Sequence, residues 1–343
     1  MLQDHAAYEE TKTMARPDQA EADSDLITVT VNAIKKEADD ILSFEFVKPD
    51  STDLPPFTAG SHIHVHIGDG LSRQYSLCND PSETHRYVVA VLRENSGRGG
   101  SAAMHEVLQE GQQIKVSGPI NHFELAGRGA NFHLLLAGGI GVTPMMAMVD
   151  ELERQEKPYL MHYCTRAPEV TAFLDRLEPR IKAGKVIVHH DGGDPSKGLN
   201  LAETLASHEI GMHLYACGPG GFMDAVNASV GAWPPHAVHQ EYFSAREMTE
   251  EEKAWDAKPF KIKIASTGDV IDVPANRSIT DVLREHGISI LTDCEEGYCG
   301  TCLTHYVEGE PVHRDTVLDD ADREDYVMIC CARAKSEMLV LDL

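Results

Sequence analysis

Apolar and polar positions along the chain fall into two regimes. From Leu26 to about Leu125 the apolar residues come in short runs: LITVTV, ILSFEF, HIHVHI, YVVAVL and QIKVSG. Several of these alternate residue by residue, and clusters of Gly, Pro, Asn and Asp separate them. Period-two alternation in short segments predicts strands with one buried face, here an antiparallel barrel or sandwich. One helical stretch, GSAAMHEVLQEG, interrupts them. From about Asn131 the pattern changes. FHLLLAGG leads into TPMMAMVDELERQ, and YLMHYCT leads into PEVTAFLDRLEPRIKAG. KVIVHH follows, and then HLYACG leads into GGFMDAVNASVG. Apolar strands alternating with amphipathic helices predict a parallel sheet covered on both faces.

The stretch SAREMTEEEKAWDAK, residues 244–258, is polar with few apolar anchors and predicts an interdomain linker, with Trp255 able to dock on a neighbour. Beyond it, FKIKIASTGDVIDVPAN predicts a hairpin, SITDVLREHG a helix and the tail MLVLDL a strand. The first 25 residues carry seven acidic side chains against Lys12 and Arg16, and read as an acidic mobile arm. The expected organisation is multidomain: arm 1–25, β-barrel 26–127, α/β unit 128–243, linker 244–258 and a smaller unit 259–343.

A net charge of −25 argues against nucleic acid or an anionic membrane as partner, because both repel it. No apolar run approaches the roughly 18 residues that a membrane span needs. The N-terminus lacks the apolar core of a secretory signal. The expected location is the cytoplasm, where thiols stay reduced, which disfavours disulfides.

The cysteines of the stretch CEEGYCGTC, Cys294 to Cys302, could be disulfide halves, zinc ligands, iron–sulfur ligands or reactive thiols. Cys294, Cys299 and Cys302 have the spacing C-x4-C-x2-C, and the adjacent Cys330 and Cys331 follow. Structural zinc prefers two separated cysteine pairs, and neighbouring residues cannot easily both reach one tetrahedral ion. The spacing is instead that of a plant-type 2Fe–2S cluster. Gly297 and Gly300 between the ligands allow the backbone to wrap closely and turn N–H groups toward sulfur.

The segment CEEGYCGTCLTHYVEGEPVHRDTVLDD, with CCARAKSEMLVLDL, resembles the C-terminal ferredoxin domain of the phthalate dioxygenase reductase and vanillate demethylase reductase family. The resemblance implies an α+β β-grasp domain. It also implies that the cysteine of C-x-x-R-A, Cys330, is the fourth ligand and Cys331 is not.

RQYSL, by its residues alone, is a strand end bearing one surface Arg. The family resemblance makes Arg73, Gln74, Tyr75, Ser76 and Leu77 a flavin-lining strand, with Arg73 on phosphate, Tyr75 on the ring and Ser76 bonding it. A fork of donors suits phosphate and an aromatic face suits a flat ring. GRGGS opens a helix whose N–H groups face an anion, so Arg98, Gly99, Gly100 and Ser101 complete the expected phosphate site. The resemblance points to FMN as the flavin.

AGGIGVTPMM lies between strand and helix. Gly138, Gly139 and Gly141 let backbone approach a pyrophosphate, Thr143 can cap the helix, and Pro144 fits its first turn. The dinucleotide fingerprint G-x-G-x-x-G is absent, but the segment is similar to the nicotinamide-binding loop of ferredoxin reductase-type enzymes. CGPGGFM is that domain's second signature. It places Gly218 and Pro219 on the nucleotide and Cys217 near the nicotinamide. QEYF matches the segment that ends the domain, and with Cys217 it contributes Glu241 and Phe243 as expected catalytic-site residues. Arg166, after the second strand, can meet the adenosine ribose or its 2′-phosphate. The family favours NADH, with NADPH the alternative.

His62, His64 and His66 alternate on one strand and so share a face, which invites a metal site. The favoured reading is an exposed strand face. The region from residue 259 holds 17 Asp and Glu against 8 Lys and Arg, a surface able to steer a basic docking patch.

The resemblance covers Leu26 to Leu343 and implies electrons passing from NADH through FMN to the cluster. A nicotinamide delivers a hydride, a cluster passes single electrons, and flavin handles both. The implied partner is a Rieske-type oxygenase, and the implied state is a monomer. A cytochrome P450 or a soluble acceptor as partner, and a cluster-based redox sensor, are the other readings.

Overall fold

The computed structural model describes residues 26–68, 71–94, 99–127, 129–246, 248–318 and 321–343. The acidic arm and Arg98 lie outside the described residues. The alternating region forms strands β1 (Ile27–Ala38), β2 (Ile41–Val47), β3 (Ser61–Gly68), β4 (Leu71–Ser76) and β5 (Tyr87–Leu92), then helix α1 (Gly100–Val107), β6 (Gln113–Val116) and β7 (Ile120–Asn121). Their antiparallel order is β4-β3-β6-β1-β2-β5, with β7 on β3. An antiparallel bridge between Leu77 and Val89 joins the two edges into a barrel. Inward positions follow the alternation: Val29 and Val31, Phe44 and Phe46, and Ile63 and Val65 have no exposed surface. His62, His64 and His66 are therefore on the outer face of β3.

The second region is a parallel sheet in the order β10-β9-β8-β11-β12. It comprises β8 (Phe132–Gly138), α2 (Val142–Arg154), β9 (Tyr159–Thr165), α3 (Leu174–Lys182), β10 (Val186–His190), α4 (Leu201–Thr204), β11 (Met212–Cys217), α5 (Gly220–Ser229) and β12 (Val238–Glu241). Leu134, Leu136, Leu214 and Ala216 fill one layer. Leu135, Ala137, Tyr215 and Cys217 fill the other, which is continuous with the barrel interior. The helix expected from Pro168 begins only at Leu174. Phe173 is buried with φ 61°, a left-handed residue that breaks the run before the helix starts.

The third region has its own core. Helix α6 (Glu250–Ala254) precedes β13 (Phe260–Ile264), β14 (Val270–Val273), α7 (Ile279–Glu285), β15 (Leu303–Glu308), β16 (Pro311–Val312), β17 (Tyr326–Met328), β18 (Arg333–Ala334) and β19 (Met338–Leu341). The main sheet runs β14-β13-β19-β15-β17, and β13 lies parallel to β19 while the other three pairs are antiparallel. Reciprocal Ser278–Asp281 hydrogen bonds start α7, a capping box written in its sequence. The stretch expected as linker is tied to this unit. A Thr249–Glu252 capping box starts α6, Arg314 reaches Asp256 at 2.6 Å, and the Lys258 ammonium sits 3.6 Å from the Trp255 ring centroid.

Candidate functional site

A cavity of about 560 Å³ opens where the three regions meet. The barrel contributes Arg73, Gln74, Tyr75 and Ser76, with Gly100 and Ser101 from the start of α1. The Arg73 side chain packs over Gly100, so its guanidinium and the N-terminal end of α1 share one corner of the cavity. Gly99 there has φ 81° and precedes the helix without a side-chain cap. The Ser101 hydroxyl accepts a hydrogen bond from the Glu94 N–H at 3.1 Å. Leu77 departs from the expectation that it lines the site. It is fully buried and absent from the cavity wall, because alternation turns it into the barrel interior.

The nucleotide loops gather at the carboxyl ends of the parallel strands, where open α/β sheets bind ligands. Gly138 ends β8 against Pro219, and Gly139–Gly141 form one 3₁₀ turn before α2. A Cβ on Gly141 would lie 2.1 Å from the Cys217 carbonyl oxygen, so only glycine permits the two loops to approach this closely. Thr143 is not the helix cap that was expected. The cap position belongs to Gly141, and the Thr143 hydroxyl donates back to the Ile140 carbonyl at 3.0 Å from inside the first turn. Pro144 is buried in that same turn, and Gly218 packs against Phe222. Arg166 is exposed just beyond β9.

Cys217 is wholly buried and stands opposite Glu241 in the pairing of β11 with β12. Burial pushes its thiol well above the ordinary range, and Glu241 adds to the rise. Burial likewise pushes the Glu241 carboxyl up to about 8. A hydrogen bond from the Ser76 hydroxyl, at 3.2 Å, partly offsets this, and Asp293 raises it further. Glu241 and Phe243 line the cavity, Phe243 being 38% exposed at its mouth.

The cysteine loop forms the third wall through Tyr298 and Cys299. The N–H groups of Glu296 and Tyr298 donate to the Cys294 sulfur at 3.3 and 3.4 Å, and the Cys294 N–H donates to the Cys299 sulfur at 3.5 Å. Hydrogen bonds from the Cys299 and Cys330 thiols pull the Cys294 thiol far down, and Cys330 is also within reach of Cys302. Four convergent sulfurs with N–H groups aimed at them suit a 2Fe–2S cluster. Gly297 has φ 81°, and a Cβ there would lie 2.5 Å from the Cys331 sulfur, so Cys331 packs against the loop beside Cys330.

Tyr298, His122 and Asp293 contribute to the site without a role in the motifs read from the sequence. The Tyr298 hydroxyl donates to the Gln74 side-chain oxygen at 3.1 Å, across the boundary between barrel and cysteine loop. Asp293 meets His62 at 3.1 Å, His122 at 3.6 Å and His64. The expectation of an exposed histidine face therefore fails at His62 and His64: the third unit covers them, and His62 is buried. Burial alone would raise the Asp293 carboxyl, but hydrogen bonds from His122, His62 and His64 hold it far below the usual range. Tyr298 sits between the motif cysteines and could have been noticed. Asp293 gave no signal.

A barrel with an anion corner, a parallel sheet with glycine loops and a four-cysteine unit define a flavin- and iron–sulfur-dependent oxidoreductase. Family models for an oxidoreductase FAD-binding domain, an oxidoreductase NAD-binding domain and a 2Fe-2S iron-sulfur cluster binding domain match residues 28–125, 135–228 and 262–335. The chain is 45% identical to the tert-butanol monooxygenase / tert-amyl alcohol desaturase reductase subunit of Aquincola tertiaricarbonis, over 92% of this chain and 96% of that one. It is 43% identical to the vanillate O-demethylase oxidoreductase of Pseudomonas sp. strain HR199, over 93% and 100%. The solved structure of phthalate dioxygenase reductase, which transfers electrons from pyridine nucleotides to [2Fe–2S], superposes with a TM-score of 0.72 at 40% identity, over 94% and 99%. An intact type IV self-sufficient cytochrome P450 monooxygenase superposes at 0.79 with 34% identity, over 99% of this chain and 44% of that one. The chain belongs to the phthalate dioxygenase reductase and vanillate O-demethylase reductase family. It is an oxygenase-system reductase that moves electrons from NADH through a flavin and a 2Fe–2S cluster. Among the described residues no helix is long and apolar enough to cross a membrane.

Proposed function

We propose that the protein is the reductase component of a two-component Rieske-type oxygenase, acting as a monomer in the cytoplasm. The observation that carries this reading is the single cavity walled by all three regions, with Arg73 to Ser76 on one side and Cys299 on the other. The domain limits that go with it are 26–127, 128–243 and 259–343, with 1–25 an acidic arm and 244–258 the connection.

In this reading Arg73, Gly99, Gly100 and Ser101 hold the flavin phosphate, while Tyr75 and Ser76 orient the ring and Gln74 joins its edge to the cysteine loop. Gly138, Gly139, Gly141, Thr143, Pro144, Gly218 and Pro219 shape the nicotinamide nucleotide site, and Arg166 meets its adenosine end. Cys217, Glu241 and Phe243 set the polarity and close the wall where nicotinamide approaches. Cys294, Cys299, Cys302 and Cys330 ligate the cluster. Bound in that order, the cofactors convert one hydride into two single-electron transfers. The chain itself aligns them, excludes water and keeps a neutral Glu241 beside Ser76.

Anaerobic mixing of the loaded protein with NADH should bleach the flavin band first and the cluster bands afterwards. Unchanged flavin and cluster spectra would refute the reading. The likeness to a stretch of the self-sufficient P450 favours a second reading, electron donation to a P450. Turnover of a Rieske oxygenase but not a separate P450 domain, each mixed with the reduced protein, separates the two.

A further inference from the structure

We propose that His62, His64, His122 and Asp293 form a binding site for a divalent transition-metal ion of the zinc class, which fastens the cysteine loop to the flavin barrel. Two imidazoles come from alternate positions of β3, and so lie on one face of the strand. The third follows β7, which is paired to β3 through Ser61–Asn121 and His62–Ile120. The barrel alone thus presents three nitrogens on a rigid scaffold. The fourth donor, Asp293, comes from the third unit, one residue before Cys294.

Three of the four donor residues converge as a metal site requires, and His122 stands at their edge with its Nε2 3.2 Å from the Thr301 hydroxyl. Ligand atoms of His62, His64 and Asp293 all lie within 4.8 Å of one another. The Nε2 atoms of His62 and His122 stand 3.1 and 3.6 Å from the same Asp293 oxygen. A tetrahedral zinc with bonds of about 2.0–2.1 Å separates its ligands by about 3.3–3.4 Å, a value these spacings bracket. Three imidazoles and one carboxylate suit zinc, and nickel or copper next, better than magnesium or calcium. The Gln74 side-chain nitrogen lies 3.5 and 3.4 Å from the His62 and His64 Nε2 atoms, contacts that those nitrogens give up when they ligate the ion. His122, 36% exposed, leaves a path in from solvent.

The site lies beside the cavity and immediately before the first cluster cysteine. Its filling would hold the third unit docked with its cluster facing the flavin, and its emptying would leave only hydrogen bonds there.

The test uses flavin- and cluster-loaded protein, stripped with a mild chelator and titrated with zinc sulfate against a chromogenic competitor. A single tight equivalent is expected, with cluster absorbance unchanged. His64→Asn and His122→Asn should each weaken binding by more than roughly 100-fold, beyond what loss of an outer partner does. Retained flavin and cluster spectra certify that the variants are folded. Zinc should also slow proteolytic cleavage within residues 244–258 in the parent protein but not in the variants. The proposal is overturned if no stoichiometric binding occurs, if both variants bind as the parent does, or if zinc binds only as the cluster bleaches, which would locate it at the cysteines.

Discussion

The two joints of this molecule are made of different materials. Between barrel and parallel sheet the hydrophobic core runs through without a break: Phe44, Phe46 and Leu77 belong to the same cluster as Met145, Met148 and Tyr215. Between barrel and cysteine unit the contacts are polar: Tyr298 to Gln74, Thr301 to His122, and three imidazoles around Asp293. The cysteine unit keeps a separate core. An apolar joint fixes two bodies because separating them exposes oil to water, whereas a polar joint exchanges its hydrogen bonds with solvent at small net cost. Hydride transfer needs a fixed geometry between nicotinamide and flavin, and the continuous core supplies it. A cluster that must meet another protein gains from a joint that can open.

The largest effect should come from the cysteine unit alone. Cys330→Ala should abolish the cluster spectrum while flavin reduction by NADH persists, and Cys331→Ala should retain the cluster. Loss of flavin reduction along with the cluster would show that the joints are not independent. Next comes the apolar joint, where Phe123 of the barrel meets the Tyr215 ring of β11 with centroids 5.8 Å apart. Phe123→Ala should cost about 3–5 kcal/mol. Differential scanning calorimetry should show the flavin–nucleotide transition moving down while the ferredoxin transition stays.

Glu241 tests the polar group set into that apolar joint. Its carboxyl, ordinarily near 4.5, is pushed up to about 8 by burial, so the fold holds its proton. The stability this lends is complete below about pH 4.5 and is lost as pH climbs toward 8, because the unfolded chain ionises first. Glu241→Gln cannot ionise. Its melting temperature should therefore gain on the parent's progressively from pH 5 to 8, and a constant difference would contradict the burial reading. The smallest change belongs to the polar joint. Tyr298→Phe removes one hydrogen bond, worth about 0.5–1.5 kcal/mol, and should speed hydrogen exchange across residues 293–302 without changing flavin content.

Much of the molecule is legible in its sequence. The alternation that buries Ile63 and Val65, the glycine loop around Gly141 and the spacing of Cys294, Cys299 and Cys302 are local facts. Near-neighbour backbone geometry fixes them, so order along the chain suffices to read them. The helix expected from Pro168 and the cap expected at Thr143 failed within a few residues, where burial of Phe173 and the tight approach of Gly141 to Cys217 outweighed local preference. Histidines on a strand looked like a solvent face because nothing nearby in sequence covers them. Their partner Asp293 is 231 residues from His62, and Gln74 and Tyr298 are 224 apart. The sequence by itself determined three units and the loops that suit their cofactors. The meeting of those units in one cavity, and the contrast between an oily joint and a polar one, was decided only by tertiary packing, because faces that dock across domains have no period and no fixed spacing along the chain.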